Sequence, residues 1–464
     1  MGTERGGDPP GPSGLPVVGN IYQFASDPLS FYEETARGYG PVARYELGGT
    51  EFYQVSDPEL VEQVLVHEND KFRKGEEYRR ILSPVIGNGL LISEGEFWRR
   101  QRHRMEPAFH PDALAEYASV MVDYTRRLLS DWRDDTVRDI HADMMRLTVE
   151  IVAETLFDAD IREYEVDIAD ALEAVMDRSE KRLKRPIEVP DVIPTPGNRR
   201  YKRAREALYA IADEIVAAHD ADGDGVVSRL LQAKSHAEDL DDEQIRDEVV
   251  TLLLAGHETT ALALTYTLYL LATNPAQAEK LRAELDETLN GAPPSNDLVD
   301  DLSYTKRTVR EGMRVYPPVQ SVIREPTESV ELGGYECSAG TVVTIQQWVL
   351  HGRECRPRAV IQRVVTIQQW VLHRDPRFYE RPEAFRPERW SDEFRESLPR
   401  FAYFPFGGGP RRCIGENFAK LEARLVLATI ARDWEFDAVT DELSLSPSIT
   451  LRPDGPVKLR VRRR

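Results

Sequence analysis

The sequence predicts a mainly α-helical chain carrying small β-sheets, and three observations lead there. The longest readable helix opens on Asp241, Asp242 and Glu243, stops at Asn274-Pro275, and is apolar nearly all round, the pattern of a buried helix. Helical patterning also fills most of residues 111–236, broken where Pro186, Pro190, Pro194 and Pro196 cluster. By contrast, residues 41–47 and 51–55 are short alternating runs on either side of Gly48-Gly49, as strands of a small sheet should be.

Bulk composition excludes more than it selects. The 464 residues allow several domains or one large one. With 80 acidic against 60 basic residues the formal net charge is −20, the wrong sign for holding phosphates, so no nucleic-acid partner is expected. No uninterrupted apolar run reaches about 18 residues and no secretory start is evident. The expectation is therefore no integral membrane segment and a cytoplasmic location. Cys337, Cys355 and Cys413 are too few and too irregularly spaced for a disulfide framework or a zinc ribbon.

Taken in order, residues 1–14 are rich in Gly and Pro and are expected to form a flexible tail ahead of the main domain, residues 15–464. A helix is expected over about residues 57–66. Trp98 and Arg102, at i and i+4, share one helix face. Asp220-Ala-Asp-Gly-Asp-Gly225 lacks the spacing and closing Glu of an EF-hand, so a solvated loop is expected there. Gly256-His-Glu-Thr-Thr260 interrupts the apolar long helix, where a glycine costs about 1 kcal/mol against alanine and a buried acid costs more unless paired. Such a local conflict marks a functional site. Glu311 and Arg314 share a helical face just before the stop at Pro317-Pro318.

Residues 342–351 recur unchanged as residues 364–373, an offset of 22 (364 − 342), and nothing else in the chain repeats. Two copies do not make a solenoid, and identity over ten residues indicates a recent duplication or insertion at 342–363. The second copy is expected to pair in a sheet, with residues 341–362 bulging outward, since a longer loop adds little closure cost.

The stretch Phe404-Pro-Phe-Gly-Gly-Gly-Pro-Arg-Arg-Cys413-Ile-Gly415 wraps one cysteine in a glycine-rich loop ahead of an amphipathic helix. Gly407, Gly408 and Gly409 permit positive φ and a close approach to a flat ligand. Arg411, Arg412 and the helix start favour a thiolate at Cys413.

The spacing Phe406-x-x-Gly409-x-Arg411-x-Cys413-x-Gly415 resembles in full the haem-binding signature of the cytochromes P450. Ala255-Gly256-x-Glu258-Thr259-Thr260, Trp98-x-x-x-Arg102 and Glu311-x-x-Arg314 follow the order of that family, and the likeness spans about 450 residues. The resemblance implies one large domain of P450 fold with haem b as cofactor and Cys413 as the iron ligand. Trp98, Arg102, Arg324, His373 and Arg411 would anchor the haem propionates, with Phe406 and Gly415 completing the loop. Thr259 would hold a water and Glu258 would relay protons for splitting dioxygen. Glu311, Arg314 and Arg389 would form a buried structural triad.

The implied activity is monooxygenation of a lipophilic substrate, with fatty acid, isoprenoid and carotenoid as candidates, using O2 and a separate electron donor such as a ferredoxin and its reductase. Arg411, Arg412 and Arg424 would form the donor's docking patch. Two alternatives share the cysteine: a peroxide-driven or isomerising haem-thiolate enzyme, and a non-catalytic haem or ligand-binding protein. The acidic excess with few lysines is similar to proteins of salt-loving archaea, which favours isoprenoid among the substrates.

Overall fold

Gly48 and Gly49, at φ 58° and 87°, turn the chain between β1 (Val42–Leu47) and β2 (Thr50–Val55), which pair antiparallel. The computed structural model describes residues 8–164, 168–184, 193–223, 225–235, 240–339 and 363–464. They fall into two units. The first comprises Met1–Tyr78, Gln320–Pro382 and Leu398–Arg412, and the second Arg79–Val319, Glu383–Ser397 and Cys413–Arg464.

In the first unit β1 and β2 join β3 (Phe72–Arg73), β4 (Ser321–Pro326) and β5 (Arg363–Gln368) in one sheet of order β1-β2-β5-β4-β3. β5 runs parallel to β2, with Phe52 opposite Val364 and Val55 opposite Ile367, and antiparallel to β4. Val364–Gln368 opens the second copy of the repeat, so the second copy pairs in the sheet, as expected. The first copy and the proposed bulge over 341–362 lie outside the described residues. Tyr53, Val55, Val365, Ile367, Leu332 and Leu65 build the core beneath this sheet together with Phe401 and Phe404. Cys337 sits fully buried in the same core, and burial pushes its thiol up to about 12.

Two expectations change here. Residues 8–14 are not a free tail: Pro10 O accepts the Arg44 amide at 2.9 Å, and a Cβ on Gly11 would sit 1.6 Å from Arg44 O. The expected 57–66 helix does begin at this point, with the Asp57 carboxylate capping Pro58–Glu62, but continues as a wider π-turn over Gln63–His67.

The second unit is helical. Its main elements are α1 (Gly95–Met105), α2 (Pro111–Ser130), α3 (Ile140–Phe157), α4 (Asp242–Thr273), α5 (Ser303–Val315) and α6 (Glu416–Asp433). α4, 32 residues and about 48 Å long, starts at Asp241, whose carboxylate accepts the Gln244 amide at 2.8 Å. It packs against α3, α5 and α6, and this explains its apolar circumference. Length and composition alone would let α4 cross a membrane, yet 83% of its most apolar window is buried inside the protein.

The glycine in the middle of α4 has a packing reason. A Cβ on Gly256 would meet Val152 Cγ2 of α3 at 3.1 Å, and one residue on, Thr148 Oγ1 of α3 donates to His257 O at 2.9 Å. Beside α4 a short hairpin of β6 (Leu445–Pro447) and β7 (Leu451–Pro453) is anchored by the Tyr266 hydroxyl, which donates to Leu451 O at 2.5 Å.

The close crossing at Gly256 sets a first expectation. Gly256→Val should destabilise the fold by about 1–3 kcal/mol through overpacking against Val152, in excess of any gain in helix propensity. Urea unfolding of the two proteins measures it, and an unchanged midpoint would show that α3 yields freely.

Candidate functional site

α4 supplies the first group of candidate residues. Thr259 is part-exposed, and its hydroxyl donates to Ala255 O one turn back at 3.0 Å, which fixes its rotamer and leaves the oxygen able to accept. Glu258 is nearly fully buried, and one oxygen, Oε1, accepts from both Thr450 Oγ1 and Arg452 Nε at 2.6 Å. Burial pushes this carboxyl up, but the Arg452 charge and these two donors outweigh it and hold the group below its ordinary value. Glu258 is therefore an ionised, paired carboxylate locked to the β6–β7 hairpin. The cost of burying the acid, left open by the sequence, is met by Arg452 and Thr450, residues that sequence reading missed.

His257 is buried with Nδ1 2.7 Å from Leu253 O, while Nε2 has no hydrogen-bond partner among the described residues. Burial holds its imidazole below the usual histidine range, against the opposing pull of Glu258. Thr260, also buried, neighbours Glu422 of α6, a fully buried carboxyl whose surroundings raise its pKa well above 4.5. Glu422 lies nine residues past Cys413 (422 − 413), too far from any recognisable pattern for its burial to be read.

On α1, Trp98 is buried and Arg102 lies over its ring, 5.9 Å from guanidinium carbon to ring centroid, so the i, i+4 pair shares a face as expected. The triad also assembles. Arg314 donates through Nε and Nη2 to the two Glu311 oxygens, each at 2.9 Å, and Arg389 Nε donates to Oε1 at 2.9 Å. Two further donors were missed: the Arg386 amide at 2.9 Å and the Trp390 indole at 2.8 Å. Both belong to Phe385-Arg-Pro-Glu-Arg-Trp390, where only the second arginine had a clear reason to matter.

In the first unit, Arg324 is on β4 opposite Val365 and donates through Nη1 to Ile323 O at 2.8 Å. His373, fully buried, ends the second repeat copy, and its Nε2 accepts the Phe404 amide at 3.1 Å, which places the ring proton on Nδ1. Gly407 and Gly409 have φ of 71° and 64°, but Gly408 is extended. At Gly409 a Cβ would lie 1.7 Å from Leu65 O, so its close approach is to the protein's own backbone and not only to a ligand. Phe406 and Arg411 border this turn and are part-buried.

Cys413 follows in the second unit, exposed, two residues before Gly415, the N-cap of α6. Exposure is unusual for a cysteine, a residue type that is mostly buried. Among the described residues no group of three His, Cys, Asp or Glu could hold a metal. A single exposed cysteine suits a metal that brings its remaining ligands with it, as in haem. Arg424, expected in a docking patch, is instead 11% exposed at its side chain and held by Asp300 Oδ1 at 3.0 Å and by Val299 O. The six-residue acidic turn at 220–225 includes Asp224, which is outside the described residues.

Two outcomes are expected from this geometry. Glu311→Ala would leave two buried guanidinium groups facing each other and should cost about 3–5 kcal/mol in denaturant unfolding, enough to abolish soluble expression. His257 gives a pH dependence. Its folded pKa lies below the unfolded 6.5, so the unfolded chain binds more protons, and its contribution to stability, complete above pH 6.5, is lost as pH falls. His257→Asn should flatten the decline of unfolding free energy between pH 7 and 5.5, by up to about 1.4 kcal/mol per pH unit, as read from urea unfolding at each pH.

The cytochrome P450 family model matches residues 9–355 and 362–461. The chain is 34% identical over 455 residues to cyclooctatin synthase of Streptomyces melanosporofaciens, covering 97% of this chain and 92% of that one. It is 34% identical over 435 residues to cyclooctat-9-en-7-ol 5-monooxygenase of the same organism, covering 92% and 89%. With pentalenene oxygenase of Streptomyces avermitilis the identity is 30% over 461 residues, covering 97% and 96%. A thiol presented at a helix start, an acid–threonine pair in a buried helix and a five-donor carboxylate thus agree with the comparison: the chain belongs to the cytochrome P450 family, oxygen-incorporating oxidoreductases whose cofactor is haem b.

Proposed function

We propose that the protein is a haem-thiolate monooxygenase acting on a polycyclic isoprenoid. The observation that carries this reading is the exposed Cys413 at the start of α6, in a signature that matches the family in full. Three relatives at 30–34% identity whose names denote work on cyclooctatin-type and pentalenene terpenoids support the substrate class over fatty acid or carotenoid.

Haem, when bound, would supply oxygen activation at its iron, and Cys413 would hold it there as the thiolate ligand that donates electron density to the metal. The chain's own residues do the rest. Arg102, Arg324 and Arg411, with Trp98 and His373, are positively charged or N–H-bearing groups suited to the propionates. Thr259, its proton committed to Ala255 O, accepts from a water and orients it. Glu258 acts through charge: ionised and pinned by Arg452, it stabilises a proton arriving near Thr259, and a relay role would require it to leave that pair.

Electrons come from a separate donor, for which a ferredoxin with its reductase is the proposal. Arg411 and Arg412 remain candidates for its docking, and Arg424 does not. A cytoplasmic location is proposed as well, in keeping with three cysteines too few and too irregularly spaced for a disulfide framework. A salt-loving archaeal source is supported by the −20 net charge, and melting temperature should then rise as KCl is raised to about 2 M.

The decisive test is the reduced carbon-monoxide difference spectrum, followed by the optical shift on adding pentalenene. A thiolate-type band that disappears in Cys413→Ala is expected, and a haem-free protein would overturn the assignment. Thr259→Ala should lower product formation about 100-fold while electron consumption persists. Pairing of the second repeat copy in β5 supports the duplication being surplus, so removal of residues 342–363 should raise haem content and thermal stability, and no gain in either would mark the insertion as a tolerated feature.

A further inference from the structure

The residue that leads the second repeat copy into the sheet is the centre of a charge cluster that the reaction does not use. The copies themselves are identical, but Thr341 precedes the first and Arg363 the second, so Arg363 is what the segment between them contributes to β5. It stands opposite Glu51 of β2, a carboxylate only 2% exposed. Arg363 Nε meets Glu51 Oε2 at 2.5 Å, and Arg44 Nε of β1 pairs with the other oxygen, Oε1. Asp8 meets the same two cations: Oδ2 accepts from Arg44 Nη1 at 3.3 Å, and Oδ1 lies 3.7 Å from Arg363 Nη2 and accepts from the Tyr53 hydroxyl at 3.5 Å. The third nitrogen of the fork, Arg363 Nη1, donates to Ser338 Oγ at 2.9 Å, 25 positions earlier in the chain.

The four charges thus form a closed ring, Arg44, Glu51, Arg363 and Asp8, in which each cation lies between two anions. Burying Glu51 beside Arg44 alone would leave most of its desolvation uncompensated, and the second guanidinium is what satisfies its other oxygen. Threonine, the residue ahead of the first copy, is uncharged and too short to replace it. Lysine offers one ammonium where the planar fork of Arg363 directs three nitrogens at three partners. The same ring reaches the N-terminal residues. β1 is the edge strand, and its Arg44 amide donates outward to Pro10 O at 2.9 Å, so Asp8 and Pro10 fasten one short segment to Arg44 by side chain and by backbone.

We propose that Arg363 is a clasp, supplied by the segment between the copies, that fastens residues 8–12 and Ser338 to the entry of β5. The extra copy is surplus, but the last residue ahead of the paired copy is not. Of two excisions that each leave a single copy, the one that keeps Arg363 gives the better-fastened sheet. This inference concerns the first unit alone and does not rest on the reading of the reaction or its substrate.

The test compares two excisions of equal length in the haem-loaded protein. Removal of residues 341–362 leaves Arg363 ahead of Val364, removal of residues 342–363 leaves Thr341 there, and the products differ at that one position. At one scan rate the Arg363 form should melt about 3 °C above the Thr341 form. Hydrogen–deuterium exchange at the Arg44 amide should be about 10-fold slower in the Arg363 form, with the amides of α4 alike in both. Adding Glu51→Gln with Asp8→Asn to each form should erase both differences, because Arg363 then has no anion to hold. In the uncut protein Arg363→Thr should speed Arg44 exchange about 10-fold and Arg363→Lys about 3-fold. Equal melting and equal exchange in the two excisions would overturn the clasp, as would a difference that survives Glu51→Gln with Asp8→Asn, which would trace it to strand propensity. A difference in melting with no difference at the Arg44 amide would overturn the tie to residues 8–12.

Discussion

The Glu311 carboxylate is the constraint on which much of the second unit depends. Five donors converge on it: two from Arg314, one from Arg389, the Arg386 amide and the Trp390 indole. No pair of these would justify burying the charge, because desolvation of a lone ion pair cancels most of its attraction. The full set does, and it joins α5 to residues 384–390, where Ala384 O receives both guanidinium groups in turn. Segments distant in sequence thereby gain a fixed mutual geometry that apolar packing, which is non-directional, would not specify.

α4 shows the same logic around a different charge. Its apolar circumference suits a helix packed by α3, α5 and α6, and several of its polar groups are matched by a neighbouring segment. Asp247 and Glu248 meet the loop at 87–91, Thr148 meets the His257 carbonyl, and Arg452 with Thr450 meets Glu258. The local conflicts visible in the helix are therefore junctions, at which a neighbouring segment is pinned to a defined height along the rod.

Legibility tracks the range over which each signal acts. Capping at Asp241, the Gly48-Gly49 hairpin and the i, i+4 pairing of Trp98 with Arg102 are local, and the structure shows each one. Glu311 and Arg314 could be paired from their spacing, and Arg389 through the family likeness. Trp390, Arg452, Thr450 and Glu422 could not, because each acts on a residue tens or hundreds of positions away. The misread cases are similar. Arg424 looked exposed and basic in sequence, yet Asp300, 124 residues earlier, holds it. The Gly- and Pro-rich start looked mobile, yet Pro10 and Gly11 lie along β1 through backbone contacts that composition does not encode.

The duplicated strand, which ends at the hydrogen bond between the Phe404 amide and His373, has to be selected from two copies. Two identical ten-residue segments could fill one slot between β2 and β4, so only the residues that flank them can distinguish the copies. The flanks differ on both sides: Arg363, which opens β5 and pairs with Glu51, stands where the first copy has Thr341, and the second copy continues into Arg374, whose guanidinium stacks 3.3 Å over Trp370, and Asp375, which caps the next turn. A chain that seats the first copy has Thr341 at the entry and Gly352 and Arg353 at the exit instead, so it would lack these locks. Selection between the copies therefore rests with the residues that flank the strand, and the heterogeneity of a preparation would record how often that choice is made wrongly.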